Sequence, residues 1–404
     1  MIGIRSITYH LPTNYNDTEL NKILNVSRFW PLQYPAIRTQ RMALTPCNKP
    51  MSVEKIKKLS NICDTSEIRW FNIPIDPWES QNKEELFKFC ENTLNNFGRA
   101  FINVLTFKNN KANDEIIEFS SNLLKKVSLI NKNGKDNFRL GFSANIKPNG
   151  PFFPFTMSGG NLGFSIALEL TQEINAICDR NNKLSIMQLR DILSKELIKQ
   201  ISDIEKIALH IAEHFNLLFL GFDFSIAPII SDDGSVITIL HRLGIYNFGK
   251  NGTLFATVFL TDLIKSFKKK FRSVGFSGVM YSLLEDLELC MINNERGVTL
   301  EDLTKLSTMC GCGIDMVPVY GGITNQELKS IFLEIYSISS RLDKPLGIRI
   351  LPIPYTKKNQ LQYTNLHDDA DFIANTKIVD LDINILPFQG EEYTLLNEYL
   401  INLE

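Results

Sequence analysis

Two stretches of this chain repeat a pattern that can hold a carboxylate inside a strand: Gly221-Phe222-Asp223-Phe224 and Gly313-Ile314-Asp315-Met316. Gly347-Ile348-Arg349-Ile350 and Gly3-Ile4-Arg5-Ser6 are their basic counterparts. Charged groups within apolar strands must pair with each other or bind something, because an unpaired buried charge is costly. Strand side chains alternate, so each face can be read on its own. Asp223 shares its face with Gly221, Ser225 and Ala227, and Arg139 shares one with Gly141, Ser143 and Asn145. The chemistry expected there is that of a small polar or anionic substrate. Asp223 serves as the acid/base or cation-binding residue, with Asp315 as a second catalytic carboxylate. Ser225, Ser143 and Asn145 orient the substrate, and Arg139 or Arg349 meets its anionic group. For the arginines, a paired structural layer is the competing expectation, since buried charges are normally paired.

Three glycine-bearing turns precede expected helices: Ser158-Gly159-Gly160-Asn161, Gly249-Lys250-Asn251-Gly252-Thr253 and Gly275-Phe276-Ser277-Gly278. Such turns let backbone N–H groups converge on an anion, so Ser158, Gly159, Gly252, Thr253 and Ser277 join the substrate-binding candidates. None is a Walker A loop, and ordinary turn and cap chemistry explains each alone. His210-Ile211-Ala212-Glu213-His214 matches H-x-x-E-H, but no third ligand follows before an apolar strand. Cys310-Gly311-Cys312 is a single pair, and buried, inert thiols are its default reading.

The elements that must position these residues form a beat. Arg5, Arg38, Arg69 and Arg99 recur about every thirty residues, the length of one strand and one helix. Strands are expected at 2–10, 36–44, 67–75, 99–106 and 137–145. After a Pro/Gly/Phe-rich loop and two amphipathic stretches, they resume at 217–226, 274–281, 313–320, 346–352 and 376–382. Five strands before and five after give one domain over 1–404: a first half (1–146), a helical insertion (147–216), a second half (217–390) and a C-terminal helix (391–404).

Composition bounds the rest. With 404 residues, 44% hydrophobic content and a formal charge of −2, the chain can bury a large core and gives no sign of a nucleic-acid partner. No apolar run is long enough to span a membrane. Seven dispersed cysteines and no apolar leader favour a reducing cytoplasm.

Several segments together resemble a known family. They are Ile4-Arg5-Ser6-Ile7-Thr8, Asp223-Phe224-Ser225-Ile226-Ala227-Pro228, Gly252-Thr253, Gly275 to Gly278 with Glu285-Asp286, Cys310 with Gly313 to Met316, and Arg349-Ile350-Leu351-Pro352. Their order and spacing are similar to those of domain of unknown function 711. The resemblance implies a ten-stranded β/α barrel like that of pyruvate formate-lyase, made of two five-stranded parallel halves set antiparallel. It implies no particular reaction. The radical-glycine context of glycyl-radical relatives is not matched by Phe388-Gln389-Gly390-Glu391, so radical chemistry is not expected. An enzyme of unassigned reaction is the functional expectation, with a non-catalytic metabolite-binding or structural oligomeric protein as its rival. A small-molecule ligand is expected. A divalent cation at Asp223, Asp315 or Glu285-Asp286 stays open, as does a homo-oligomer.

Overall fold

Each turn of the beat has a local cause: an apolar strand, a polar cap, then an amphipathic helix. The computed structural model describes residues 1–366 and 372–395. Its first series of strands is β1 (Gly3–His10), β2 (Gln40–Ala43), β3 (Ile68–Ile75), β4 (Ala100–Phe107), a short β5 (Lys111–Asn113) and β6 (Leu140–Ala144). Asn16, Ser52, Asn82 and Asn113 cap the helices Asp17–Gln33, Val53–Thr65, Lys83–Asn96 and Asp114–Ser128, each accepting from an otherwise unpaired backbone N–H. The second series is β7 (Gly163–Glu169), β8 (Leu218–Asp223), β9 (Gly313–Tyr320), β10 (Leu346–Ile353) and β11 (Glu392–Thr394).

Nine strands form one sheet in the order β8-β7-β1-β2-β3-β4-β6-β10-β9. Strands β1, β2, β3, β4 and β6 are parallel neighbours. The pairs β7/β8 and β9/β10 are also parallel, and join the first group antiparallel at β1/β7 and β6/β10. The fold is therefore mixed α/β, with a mostly parallel sheet and eleven α-helices among the described residues. No helix among these residues is long and apolar enough to cross a membrane.

Four expectations about elements need correction. The segment 147–216 is not simply a helical insertion. It contains β7, which pairs with β1 through the register Ile7↔Ile166, before the helices Leu170–Arg180 and Ile186–His214. Residues 376–382 are not a strand: the Asn293 and Asn294 side chains take up Lys377 backbone groups, and Val379 makes an isolated bridge to Val319. Residues 274–281 are irregular, because Gly275 (φ +67°) and Ser277 (φ +46°) are left-handed and interrupt an extended run. That segment still bridges both flanking strands, at Phe222↔Ser273 and Ile226↔Val279 on one side and Ser282↔Asp315 on the other. Of the C-terminal helix expected at 391–404, Glu392–Thr394 is instead a strand paired with β5, and 396–404 lie outside the described residues.

One face of the sheet packs its Ile, Leu and Phe side chains under the helices. The opposite face is small and polar, as the alternation in β1 requires, and a loop lies against it. Ser6 and Thr8 donate to the Pro151 carbonyl at 3.3 and 3.0 Å. Asn72 donates to the Thr156 carbonyl at 2.8 Å, and Ser158 N–H to that of Leu44 at 2.7 Å. Gly141 and Gly347 leave the space for this loop: a Cβ on either would stand 2.6 Å from the Phe155 ring.

Candidate functional site

The sequence-predicted residues fall into separate places. Asp223, buried at the end of β8, has both oxygens engaged. Oδ1 accepts from the Ser225 backbone (2.8 Å), the Ser225 hydroxyl (2.6 Å) and the Ser277 backbone (3.1 Å), while Oδ2 accepts from Phe276 N–H (2.7 Å). Burial pushes this carboxyl upward and the four donors pull it back. Asp223 therefore ties β8 to the irregular 275–277 turn. Ser225 and Ser277 serve that junction: the Ser225 hydroxyl accepts from Gly278 N–H, and the Ser277 hydroxyl from Phe224 N–H.

Others are occupied in loops and caps. Arg139 ends a 3-10 turn, Lys135–Arg139. It donates to Asp136 at 2.6 Å and to the carbonyls of Leu94, Phe97 and Ala100, pinning the end of a helix. The Ser143 hydroxyl donates to Val104 O at 3.4 Å. Asn145 (φ +51°) accepts from Asn110 N–H and donates to Ser339. Ser158 accepts from Gly160 N–H, and Gly159 N–H donates to Asn149. Gly252 (φ +100°) opens the helix Thr253–Ser266, and Thr253 donates to Asn247 O.

Asp315 and Arg349 come together elsewhere. They form a two-pronged ion pair at 2.7 and 2.9 Å on the wall of a cavity of ≈ 60 Å³. Arg5, Arg38, Arg41, Arg69, Glu285 and Cys312 share that wall, with Trp70 and several phenylalanines between them. Irregular strand pairing delivers the charges. The β1/β7 register passes from Ile4↔Leu168 to Ser6↔Ala167 and skips Arg5. Between β2 and β3 it passes from Gln40↔Ile68 to Arg41↔Trp70 and skips Arg69. Between β9 and β10 it passes from Ile348↔Ile314 to Ile350↔Val317, leaving Arg349 opposite Asp315 and Met316. A bulge frees a side chain from strict alternation and re-aims it, and bulges gather beside functional sites. The pairs Ile4-Arg5, Ile68-Arg69 and Ile348-Arg349 thus mark bulged strands.

Among the described residues, guanidinium groups outnumber carboxylates on this wall. Glu169 meets Arg38 at 3.3 Å and Arg5 at 3.5 Å. Glu285 meets Arg349 at 3.5 Å and Arg5 at 3.7 Å. Three arginines, Arg5, Arg38 and Arg349, thereby share Glu169, Glu285 and Asp315. Burial works to raise the Glu285 carboxyl, but Arg349, Arg5 and Arg38 outweigh it and hold it below the usual range. Arg41 adds a further guanidinium that, although Glu285 attracts it from farther away, has no carboxylate at ion-pair distance among the described residues. It is buried, its Nε donates to Thr39 at 3.0 Å, and its plane lies near the rings of Trp70 (5.3 Å) and Phe153 (5.2 Å). Burial first, then repulsion from Arg5 and Arg38, pushes it well below the ordinary guanidinium range.

Sequence reasoning did not single out Arg41, because Gln40 rather than an apolar residue precedes it. Thr39 and Arg41 alternate with Gln40, whose side chain instead bonds Tyr9 and Ser27 O. That alternation was the available signal. No three His, Cys, Asp or Glu side chains among the described residues gather as a metal site, and His214 stacks on Phe29 at 5.5 Å.

Comparison with known proteins finds uncharacterised relatives. A UPF0210 protein of Pyrobaculum arsenaticum is 26% identical over 223 residues, 54% of this chain and 49% of that protein. A UPF0210 protein of Thermoanaerobacter is 25% identical over 265 residues, 64% of this chain and 58% of the relative. One of Methanococcus aeolicus is 22% identical over 247 residues, covering 60% and 54% respectively. The chain spans about half the length of the curated relatives it matches. The family model described as Uncharacterised ACR (DUF711) matches residues 35–362, most of the chain, and this protein belongs to that family.

Proposed function

We propose that the arginine-lined cavity binds a small anionic metabolite, and that the protein acts on it as an enzyme of unassigned reaction. The observation that carries this reading is Arg41: a buried cation beside Arg5 and Arg38, while the three carboxylates of the cluster engage other arginines. An uncompensated buried charge is retained against a stability cost, and binding sites are where such costs are met. With Nε tied to Thr39 and its plane beside two aromatic rings, Arg41 offers its terminal nitrogens as a preoriented fork for a carboxylate or phosphate. Glu285, Asp315 and Cys312 on the same wall supply groups that can move a proton or attack. A reducing cytoplasm fits seven free thiols.

The same reading takes the sheet as a ten-stranded barrel of two five-stranded halves, with 273–282 as an irregular tenth member. Its isolated parallel bridges to β8 and β9 support closure. Arginines from strands at opposite sides of the sheet, β1 and β10, sharing Glu285 support it further.

A thermal-shift screen of small carboxylates and phosphates at constant ionic strength tests the proposal. A saturating ligand should raise the melting temperature by about 2–5 °C. No stabilisation by any member of either class contradicts it.

A further inference from the structure

One hydroxyl on the wall of the arginine cavity is left without a partner by the fold. Ser282 opens the short 3-10 turn Leu283–Glu285, and its backbone bridges Asp315 of β9, which fixes it at the cavity. The residue is 1% exposed, and its hydroxyl completes no hydrogen bond, although the Glu285 carboxylate lies close by. A buried hydroxyl in that condition is destabilising, and one that a native fold keeps calls for an explanation. Glu285 follows three residues on, its N–H bonded to the Ser282 carbonyl at 3.1 Å. Its carboxylate is loosely held. Arg349 and Arg5 stand 3.5 and 3.7 Å away, whereas a charge-assisted hydrogen bond closes to about 2.7–2.9 Å. Asp315, by contrast, has its two oxygens bonded to Arg349 at 2.7 and 2.9 Å. Of these two carboxylates on the wall, Glu285 is therefore the one with acceptor positions open.

The cavity thus presents three incomplete groups: the Arg41 fork needs an anion, the Ser282 hydroxyl an acceptor, and the Glu285 carboxylate a donor. A hydroxyl both accepts and donates, so a single one can satisfy Ser282 and Glu285 together. A ketone only accepts, and an ammonium only donates. Size narrows the choice further. The ≈ 60 Å³ here is well under the roughly 150 Å³ that holds a benzene ring. Hydrogen-bonded oxygens approach to about 2.8 Å and packed carbons only to about 3.5–4.0 Å, so about five mostly polar atoms fit where six carbons do not. Nucleotides and sugar phosphates are too large for it. We propose that the ligand is a short 2-hydroxy carboxylate, held by its carboxylate on Arg41 and by its hydroxyl between Ser282 and Glu285. This rests on the anion-binding reading of Arg41 and adds the groups that select among anions. Ser282 and Glu285 are specificity-determining residues: the ligand hydroxyl accepts from the first and donates to the second. An acid without that hydroxyl leaves both unpaired and binds less well.

The test is a thermal-shift titration of the full chain with glycolate and with acetate, which differ only in the hydroxyl, at constant ionic strength. Glycolate should bind about tenfold tighter than acetate, or more. In Ser282→Ala that preference should fall to about twofold, while acetate affinity and the ligand-free melting temperature stay at the parent's values. In Glu285→Gln both acids should gain from the more positive cavity, glycolate less than acetate. Arg41→Gln should weaken both acids alike, which reports on the anion-binding reading by itself. Equal binding of the two acids by the parent, or a preference that survives Ser282→Ala, overturns the hydroxy-acid assignment and leaves the role of Arg41 standing. A Ser282→Ala variant that melts well below the parent overturns it too, because the hydroxyl would then serve the fold. Binding of neither acid removes both readings.

Discussion

Asp223 and Asp315 occupy the same glycine-apolar-aspartate-apolar motif and meet opposite surroundings. Asp223 is enclosed by four neutral donors from its own strand end and the adjoining turn. Asp315 faces a cavity and is gripped by one guanidinium. The first arrangement is complete without any ligand. The second belongs to a cluster in which, among the described residues, Arg5, Arg38 and Arg349 share three carboxylates and Arg41 has none at ion-pair distance. A motif places a carboxylate; what its neighbours leave unsatisfied decides whether it can act.

The largest effect expected from breaking this comparison is that of Asp223→Ala. It leaves buried donors at Phe276, Ser277 and Ser225 without an acceptor, at a cost of about 3–5 kcal/mol in denaturant unfolding. Ligand-induced stabilisation should survive in whatever fraction folds. If Asp223→Ala melted normally and lost its response to anions, the two roles would be reversed. Asp315→Asn is milder, about 2–3 kcal/mol, because the amide oxygen still accepts one bond from Arg349. It also makes the cavity more positive, so anions should stabilise this variant more than the parent in the same melt. An unchanged or weaker anion response would separate Asp315 from the cavity's electrostatics.

A third effect concerns the polar face of β1 away from the arginines. His10 is fully buried, bonds Ser165 at 2.8 Å, and burial lowers it from 6.5 to about 3. The folded state therefore keeps it neutral while the unfolded chain takes up a proton below 6.5. Stability should fall as pH drops through that window, by about 2 kcal/mol at pH 5 from this residue alone. In His10→Asn that part of the acid sensitivity should vanish from a series of urea melts. A pH profile identical to the parent's would show that His10 is not held neutral.

Much of the fold was legible because most first-series strands lead to a recognisable helix cap, such as Asn16 or Ser52. Strand β7 was not, because Gly163–Glu169 runs straight into the helix at Leu170 with no turn residue between them. Residues 376–382 alternate like a strand, yet Lys377 bonds two asparagine side chains and Thr376 N–H a threonine hydroxyl, partners that sequence cannot place. For the site, the arginine beat was visible but its meaning was not. Periodicity shows that Arg5 and Arg349 sit in strands; the bulges that turn them toward a common cavity appear only in the register. Charge balance is a property of the assembled cluster, which is why Arg41 escaped a reading made strand by strand.

The most direct measurement is a paired melt of the parent and Arg41→Gln, each with and without a stabilising anion. Removing a buried cation that has no ion-pair partner among the described residues should leave the ligand-free variant as stable as the parent or more so, and should abolish most of the anion-induced rise in melting temperature. A variant that is destabilised without ligand yet responds fully to the anion would contradict the account, and would make Arg41 part of a balanced structural layer.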